Sequence, residues 1–173
     1  MNFEESTLPL TELLLKNGFS VSKSSINCKE YSLGSILISI FYNEREHLLF
    51  IQIGSDHNSL NELSPEVVKS VFNDDQYRLQ STLTIDNLVS FLKAKGQSIL
   101  SGDISKINEI NEFSVKQSRE YTADLIYRQN LKVVDKAWNE QNYSDFIKGI
   151  DKIDHKRLPE SYLKKYKIAV GKL

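Results

Sequence analysis

The sequence predicts an α+β protein with an antiparallel sheet in its N-terminal half and helices in its C-terminal half. Two observations support this fold class. Apolar residues alternate with a period of two between residues 36 and 53, and from residue 84 onward they recur at helical spacing. The 173 residues are 40% apolar and 26% charged, which is typical of a folded globular chain. We therefore expect an N-terminal antiparallel sheet with one or two helices, packed on a C-terminal helical subdomain.

The first predicted element is a helix over Leu8–Asn17, because Leu10 and Leu14 share a face and Gly18 follows as a stop signal. The stretch "FSVSKSSINCKEYSL" predicts one or two strands that are rich in Ser and Lys. The segments "SILISIFY" and "HLLFIQIG" predict a central hairpin whose turn is the charged "NERE". Three or four antiparallel strands are expected in total.

A short helix is predicted in "LSPEVVKSVF", with Ser64 as its N-cap and Pro65 at its first position. The next predicted helix buries one apolar stripe and ends at Gly102. Asp103 is the predicted N-cap of the helix that follows it. The stripe consists of Ile85, Leu88, Leu92 and Ile99. The polar points Arg128–Asn130 and Gln141–Tyr143 then predict separate helices near residues 104–128, 131–141, 144–153 and 159–170.

The change of period near residue 82 predicts two parts, a strand-rich subdomain over residues 1–81 and a helical subdomain over residues 82–173. No stretch rich in Gly, Pro or Ser separates them. We expect the two parts to unfold as one cooperative unit, and an independently cooperative fragment of residues 82–173 would contradict this.

The segment "AWNEQNYSDFIKGIDKI", Ala137 to Ile153, resembles a single tetratricopeptide-type helix hairpin, with Tyr143 in the position of the second helix's aromatic residue. Phe146 stands where such repeats carry a small residue, and no second copy occurs at the repeat period of about 34 residues. The resemblance therefore implies one antiparallel helix pair rather than a peptide-binding superhelix. Its predicted core is Trp138, Tyr143, Phe146 and Ile150.

Only "GSDHN" brings an Asp and a His together at the end of a predicted strand, a common place for site residues. Asp56 and His57 are therefore the candidates for a small hydrolase or another acid–base enzyme. That hypothesis requires His57 to lie in a concave pocket with a second polar group within hydrogen-bond reach. The alternative is that both are ordinary loop residues, in which case the chain has no catalytic residues.

Charge is distributed unevenly. Residues 1–81 carry 6 Lys and Arg against 11 Asp and Glu, a net charge of −5, whereas residues 82–173 carry 16 against 12, a net charge of +4. An acidic half can steer a basic protein partner electrostatically, although ordinary surface composition produces a similar asymmetry. The candidate partner-binding residues are four acids with two aromatic anchors: Glu44, Glu46, Asp74, Asp75, Tyr42 and Tyr77.

Other classes of function lack support in the sequence. The seven glycines are scattered, so no phosphate loop is predicted; neither a metal ion nor another cofactor is expected. The lysines of "YLKKYK" form the solvated face of an amphipathic helix, which disfavours nucleic-acid binding. The acidic start, the absence of a long apolar run and the single Cys28 predict a protein of the cytoplasm that does not enter membranes.

The order of elements around "FLKAKGQSILSGDISKI" and "KAWNEQNY" is similar to that of a loose group of uncharacterised bacterial α+β proteins. In size and composition the chain also resembles the bacterial immunity proteins that neutralise toxins in the cytoplasm. The resemblance implies no catalytic residues. We therefore expect a non-catalytic protein-binding module, with the acid–base enzyme at Asp56 and His57 as the alternative.

Overall fold

The computed structural model describes residues 3–76 and 84–173 and has the predicted α+β architecture. The strands of the described residues are Ser20–Ser25 (β1), Cys28–Leu33 (β2), Ile36–Asn43 (β3), Leu48–Gly54 (β4) and Asn61–Glu62 (β5). The α-helices are Phe3–Lys16 (α1), Pro65–Phe72 (α2), Ile85–Ala94 (α3), Gln97–Leu100 (α4), Ile104–Asn139 (α5), Tyr143–Ile150 (α6) and Glu160–Val170 (α7). A 3-10 turn covers His155–Arg157.

The five strands form one antiparallel meander in the order β1-β2-β3-β4-β5. The predicted hairpin of "SILISIFY" and "HLLFIQIG" is confirmed, with Asn43 opposite Leu48 at its end. The sequence does not predict β5, because its two polar residues carry no alternation that distinguishes them from a loop.

Helix α1 begins at Phe3, five residues before the predicted start, and contains Pro9. A proline inside a helix removes one backbone hydrogen bond, and the helix continues through it here. The earlier start is favoured by burial, because Phe3 and Thr7 are both buried. Thr7 Oγ1 also donates to the Phe3 carbonyl at 3.0 Å. The structure therefore extends the helix to the N-terminal side of its proline.

One face of the sheet is buried and carries β-branched residues from β3 and β4, which are Ile36, Ile38, Ile40, Ile51 and Ile53. Burying each such side chain stabilises the fold by about 1.5–3 kcal/mol. Tyr31 of β2 lies on this face and is fully buried, and its hydroxyl is 2.7 Å from Thr11 Oγ1 of α1. Burial raises the pKa of Tyr31, so this phenol stays neutral. The hydrogen bond thus satisfies a buried polar atom between the helix and the sheet.

The predicted helix signals are confirmed at two caps. Ser64 Oγ accepts from the Val67 amide at 3.3 Å, and Pro65 is the first residue of α2. Asp103 Oδ1 accepts from the Ser105 amide at 2.9 Å, and this backbone hydrogen bond is the main reason that the pKa of Asp103 is lowered. The negative charge of Asp103 also stabilises α5 by interacting with the positive N-terminal end of its helix dipole.

The predicted stripe Ile85, Leu88, Leu92 and Ile99 is buried, but it lies on two helices instead of one. The break falls at Lys95 and Gly96, whose amides both donate to the Phe91 carbonyl, at 2.8 and 3.0 Å. A side chain at position 96 would place its Cβ 2.8 Å from the Leu92 Cα. Gly96 therefore permits the tight turn between α3 and α4.

The predicted helix break at Arg128–Asn130 is wrong, because α5 continues without interruption for 36 residues. Arg and Gln are good helix formers, and Arg128 Nε forms an ion pair with Asp124 Oδ2 one turn earlier, at 2.8 Å. A polar tripeptide without Gly or Pro is not sufficient to end a helix. Throughout residues 115–123 the side chains of α5 are exposed.

The chain forms two compact units, the first extending to Lys116 and the second from Gln117 to Leu173. The first unit contains the sheet and α1–α4, and α3 packs on α1. Its core includes Ile107 and Ile110 from the start of α5, whereas Val134 and Ala137 from its end belong to the core of the second unit. The predicted boundary near residue 82 and the predicted cooperative unfolding stay predictions.

The second unit contains the predicted helix hairpin. Phe146 and Ile150 are fully buried, and Trp138 and Tyr143 pack against them. The residue that permits close approach of α5 and α6 is Gly149, where a Cβ would lie 2.7 Å from Val134 Cγ2. The small residue of this hairpin thus lies three positions after Phe146.

None of the helices in the described part of the chain has both the length and the apolar character of a membrane span.

Candidate functional site

A cleft of about 440 Å³ lies in the first unit, beside the end of the β3–β4 hairpin. Its described lining residues come from α1, from the hairpin and from the start of α3; they are Glu5, Ser6, Pro9, Tyr42, His47, Leu48, Leu49, Thr84, Ile85 and Asp86. Five of these residues are apolar or aromatic, and the two charged ones are carboxylates. This combination of an apolar surface with a few acids suits a partly apolar, basic ligand.

Tyr42, one of the two predicted anchors, lies in this cleft and packs against the core with part of its ring. Its hydroxyl is 3.1 Å from His47 Nδ1. His47 adopts a left-handed backbone conformation, with φ of 54°, in the turn that joins β3 to β4. The imidazole of this turn residue therefore lies within hydrogen-bond reach of the Tyr42 hydroxyl.

The predicted acids Glu44 and Glu46 lie in the same turn and are exposed. Glu44 Oε1 accepts from the Asn27 side-chain amide, and Glu46 Oε2 accepts from that of Asn43, each at 3.2 Å. Both donors are neutral amides, so these hydrogen bonds do not neutralise the carboxylates, and exposed Arg45 between them offsets one of the two negative charges. The turn therefore presents two carboxylates at the end of the hairpin that carries Tyr42.

The other predicted acids have different surroundings. Asp75 Oδ1 forms an ion pair with Lys69 Nζ at 3.1 Å, and Asp74 Oδ1 accepts from the Gln76 amide at 3.0 Å. The negative charge of Asp75 is thus largely neutralised by Lys69. The second predicted anchor, Tyr77, lies outside the described residues.

A second depression, of about 530 Å³, lies on the side of the sheet that α1 does not cover. His57 borders it, and His57 Nε2 is 3.1 Å from Glu30 Oε2 of β2. Glu30 is buried, with only 8% of its side chain exposed, while His57 is 70% exposed. Lys23 Nζ of β1 is 3.7 Å from the other carboxylate oxygen. Two exposed cationic or polar groups therefore meet on one buried carboxylate.

Asp56, the other catalytic candidate, has its carboxylate directed into its own loop. Asp56 Oδ1 accepts from the backbone amides of Asn58 at 2.7 Å and Ser59 at 3.0 Å. This arrangement is an Asx turn, which shapes the loop. The acidic partner of His57 is thus Glu30, which is distant in sequence, and not the adjacent Asp56. A catalytic role for either residue stays a prediction.

A buried lysine, not predicted from the sequence, lies on the opposite side of the sheet from Glu30. Lys29 of β2 is only 5% exposed, and its Nζ lies 3.3 Å from both Glu4 Oε1 and Thr7 Oγ1 of α1. Lys29 and Glu30 are adjacent, so the alternation of the strand places one charge on each side of the sheet. The adjacent charges of Lys29 and Glu30 within a predicted strand were the sequence feature that could have indicated a buried charge on each side of the sheet.

Among the described residues, no group of three His, Cys, Asp or Glu side chains is arranged to hold a metal ion.

Comparison with known proteins found no match to a protein-family model, to a curated protein or to a solved structure.

Proposed function

We propose that this chain is a non-catalytic protein-binding module of the cytoplasm, and that the Tyr42 cleft receives a basic partner. The observation that supports this proposal most directly is the composition of the cleft, where Tyr42, Leu48 and Leu49 form an apolar surface beside the carboxylates of Glu5 and Asp86. Aromatic anchors in partly apolar pockets contribute most of the affinity at protein interfaces, and surrounding charges select the partner.

The charge pattern supports a basic rather than an acidic partner. Glu44 and Glu46 add two exposed carboxylates next to the cleft, offset in part by exposed Arg45 between them, and the described lining residues include no Lys or Arg. The resemblance in size and composition to bacterial immunity proteins makes a basic toxin the first class of partner to test. Asp74 and Asp75 belong to the proposed surface as well, with a smaller expected contribution because Lys69 pairs with Asp75.

The test is a pull-down from the native cell, followed by affinity measurements on the captured protein with variants of this chain. We expect Tyr42→Ala to weaken binding about 30-fold, the loss of a hot-spot residue worth about 2 kcal/mol. We expect the double change Glu44→Lys and Glu46→Lys to slow association, because exposed charges act mainly on the on-rate. Raising the ionic strength from about 0.15 M to about 1 M shortens the Debye length from about 8 Å to about 3 Å and should remove that difference.

Charge reversal of Asp74 and Asp75 is the matched comparison within the proposed surface, and Glu112→Lys, at an exposed position on α5, is the control outside it. Glu112→Lys reverses half as much charge as the Glu44 and Glu46 double change, so an effect about half as large would show that only net charge matters. If Tyr42→Ala and the reversals at positions 44, 46, 74 and 75 leave the affinity unchanged, the proposed surface is wrong.

The acid–base alternative is favoured by one observation, the hydrogen bond between exposed His57 and buried Glu30 in a depression. A buried carboxylate that orients an imidazole is a common arrangement for a general base. If this pair is catalytic, the protein should hydrolyse an activated ester at least about 100-fold faster than free imidazole at equal concentration. The rate should fall with His57→Ala. A rate no greater than that of imidazole, or unchanged in His57→Ala, would exclude this alternative.

A further inference from the structure

The side-chain ammonium of Lys165 on α7 is enclosed by two aromatic rings and a carboxylate of the second unit. Lys165 Nζ lies 5.3 Å from the centre of the Trp138 ring and 5.2 Å from that of Tyr162. It is also 4.0 Å from Asp135 Oδ1. Both rings are within the distance at which the face of an aromatic ring attracts a cation. We call Asp135, Trp138 and Tyr162 the ammonium cage.

The walls of the ammonium cage are held by neighbours other than Lys165. The Tyr162 hydroxyl donates to both oxygens of Asp135, at 2.8 and 2.9 Å. Burial, followed by this hydrogen bond and the negative charge of Asp135, raises the pKa of Tyr162 to about 12, so the phenol remains a donor. The phenol ring and the carboxylate therefore position each other.

The indole of Trp138 also packs against two rings of the hairpin core. Its ring centre is 5.1 Å from that of buried Phe146 and 5.7 Å from that of Tyr143, which meets it edge to face. These contacts are independent of Lys165, whose side chain is about one-third exposed. Removal of the lysine head group should therefore leave the cage in place and open to solvent.

We propose that the ammonium cage is a binding site for organic ammonium cations and that Lys165 acts as its internal ligand in the free protein. Two aromatic faces and one carboxylate favour a cation with an apolar shell, such as a methylated amine, over a strongly hydrated metal ion. An external cation must displace Lys165. The apparent affinity of the natural chain therefore equals the intrinsic affinity multiplied by the fraction of molecules in which the cage is free of the lysine. This site is independent of the Tyr42 cleft, which belongs to the first unit.

Trp138 is the single tryptophan of the chain, so its fluorescence reports on the cage directly. The experiment titrates tetramethylammonium chloride into the natural protein and into Lys165→Ala, with sodium chloride keeping the ionic strength constant. We expect saturable quenching in both, at about tenfold lower concentration in Lys165→Ala. Lys165→Gln, which keeps two of the four methylene groups and removes the positive charge, serves as a second open variant should Lys165→Ala disturb α7.

Tyr162→Leu in the Lys165→Ala background removes one ring and should abolish the quenching, and circular dichroism checks that the helices are retained. The uncharged tert-butanol is the matched control for the cation. Equal quenching by tert-butanol would overturn the proposal, because the surface would then select apolar shape and not charge. Absence of saturable quenching in both open variants would also overturn the proposal. So would a natural protein whose fluorescence does not change at ten times the tetramethylammonium concentration that saturates the open variants.

A short peptide with one trimethyllysine distinguishes between two sources of the cation. Tighter binding of the peptide than of tetramethylammonium would support the site and identify a protein side chain as the ligand. Weaker binding of the peptide, with saturable binding of tetramethylammonium, would support the site as one for a small free cation.

Discussion

Replacing Phe146 by alanine is expected to destabilise the second unit by about 3–5 kcal/mol. Phe146 is fully buried and packs against Trp138. The buried hydrophobic residues of this core are few: Val134, Ala137, Phe146, Ile150, Ile153, Leu158 and Ala169. Phe146 is the largest of them and the only aromatic one, so a cavity there removes a large share of the apolar contact. Gly149 already allows α5 and α6 to approach closely, which limits how far the helices can collapse into the space.

Urea unfolding measures this effect, with Trp138 fluorescence as the probe of the second unit and circular dichroism as a check that does not depend on the neighbouring ring. Val133→Ala is the matched control, since Val133 precedes buried Val134 on α5 but is 62% exposed. The control should change the free energy of unfolding by less than about 0.5 kcal/mol. A loss below about 1 kcal/mol for Phe146→Ala would show that the hairpin core is not formed as described.

Replacing Gly54 by alanine is expected to destabilise the first unit by about 3 kcal/mol and to separate His57 from Glu30. Gly54 is the last residue of β4, and a Cβ there would clash with the Ser59 carbonyl oxygen and would lie 2.7 Å from the carbonyl carbon. Both atoms belong to the backbone, so no change of rotamer relieves the clash. The loop that carries His57 must move instead.

The loop resists movement because it is held by its own hydrogen bonds. Ser59 Oγ accepts from the amides of Ser55 and Asp56, each at 3.0 Å, and Asp56 accepts from two further amides. The His57 imidazole signals in a proton NMR spectrum should therefore shift in Gly54→Ala. His57→Gln is the control that removes the imidazole and leaves the loop and Gly54 intact. Unchanged stability together with unchanged His57 signals would contradict the close approach at Gly54.

The elements that sequence analysis predicted well have strong local signals. The alternation of Ile36, Ile38 and Ile40, and the cap at Ser64 followed by proline, depend on neighbouring residues alone. The missed break at Gly96 depends on packing, because a Cβ there would meet Leu92. The break at Arg128–Asn130 was wrongly predicted for a local reason, since Arg and Gln favour the helix and Arg128 pairs with Asp124 one turn earlier. The two ends of α5 contribute to two different cores, which no local pattern reveals.

The candidate sites also differ in whether their residues are near or far apart in the sequence. Tyr42 and the acids of its turn could be proposed from the sequence because they lie within one hairpin. The pairing of His57 with Glu30 joins residues 27 positions apart, and the ammonium cage joins two helices across a similar separation. Asp56 was predicted to share a site with His57, but its short side chain accepts from the backbone amides of its own turn. Predicting a pair of residues that are distant in sequence requires knowledge of the strand register or of the helix hairpin.

The exposed stretch of α5, residues 115–123, has a consequence for the evolution of this chain. No side chain in this stretch is buried, so selection on packing is absent there and only the tendency to form a helix is constrained. Lys116, Arg119 and Glu120 can exchange with other good helix formers, while Gly or Pro would be selected against. Sequence drift should therefore accumulate at the middle of the longest helix, and the buried positions near its two ends should change slowly.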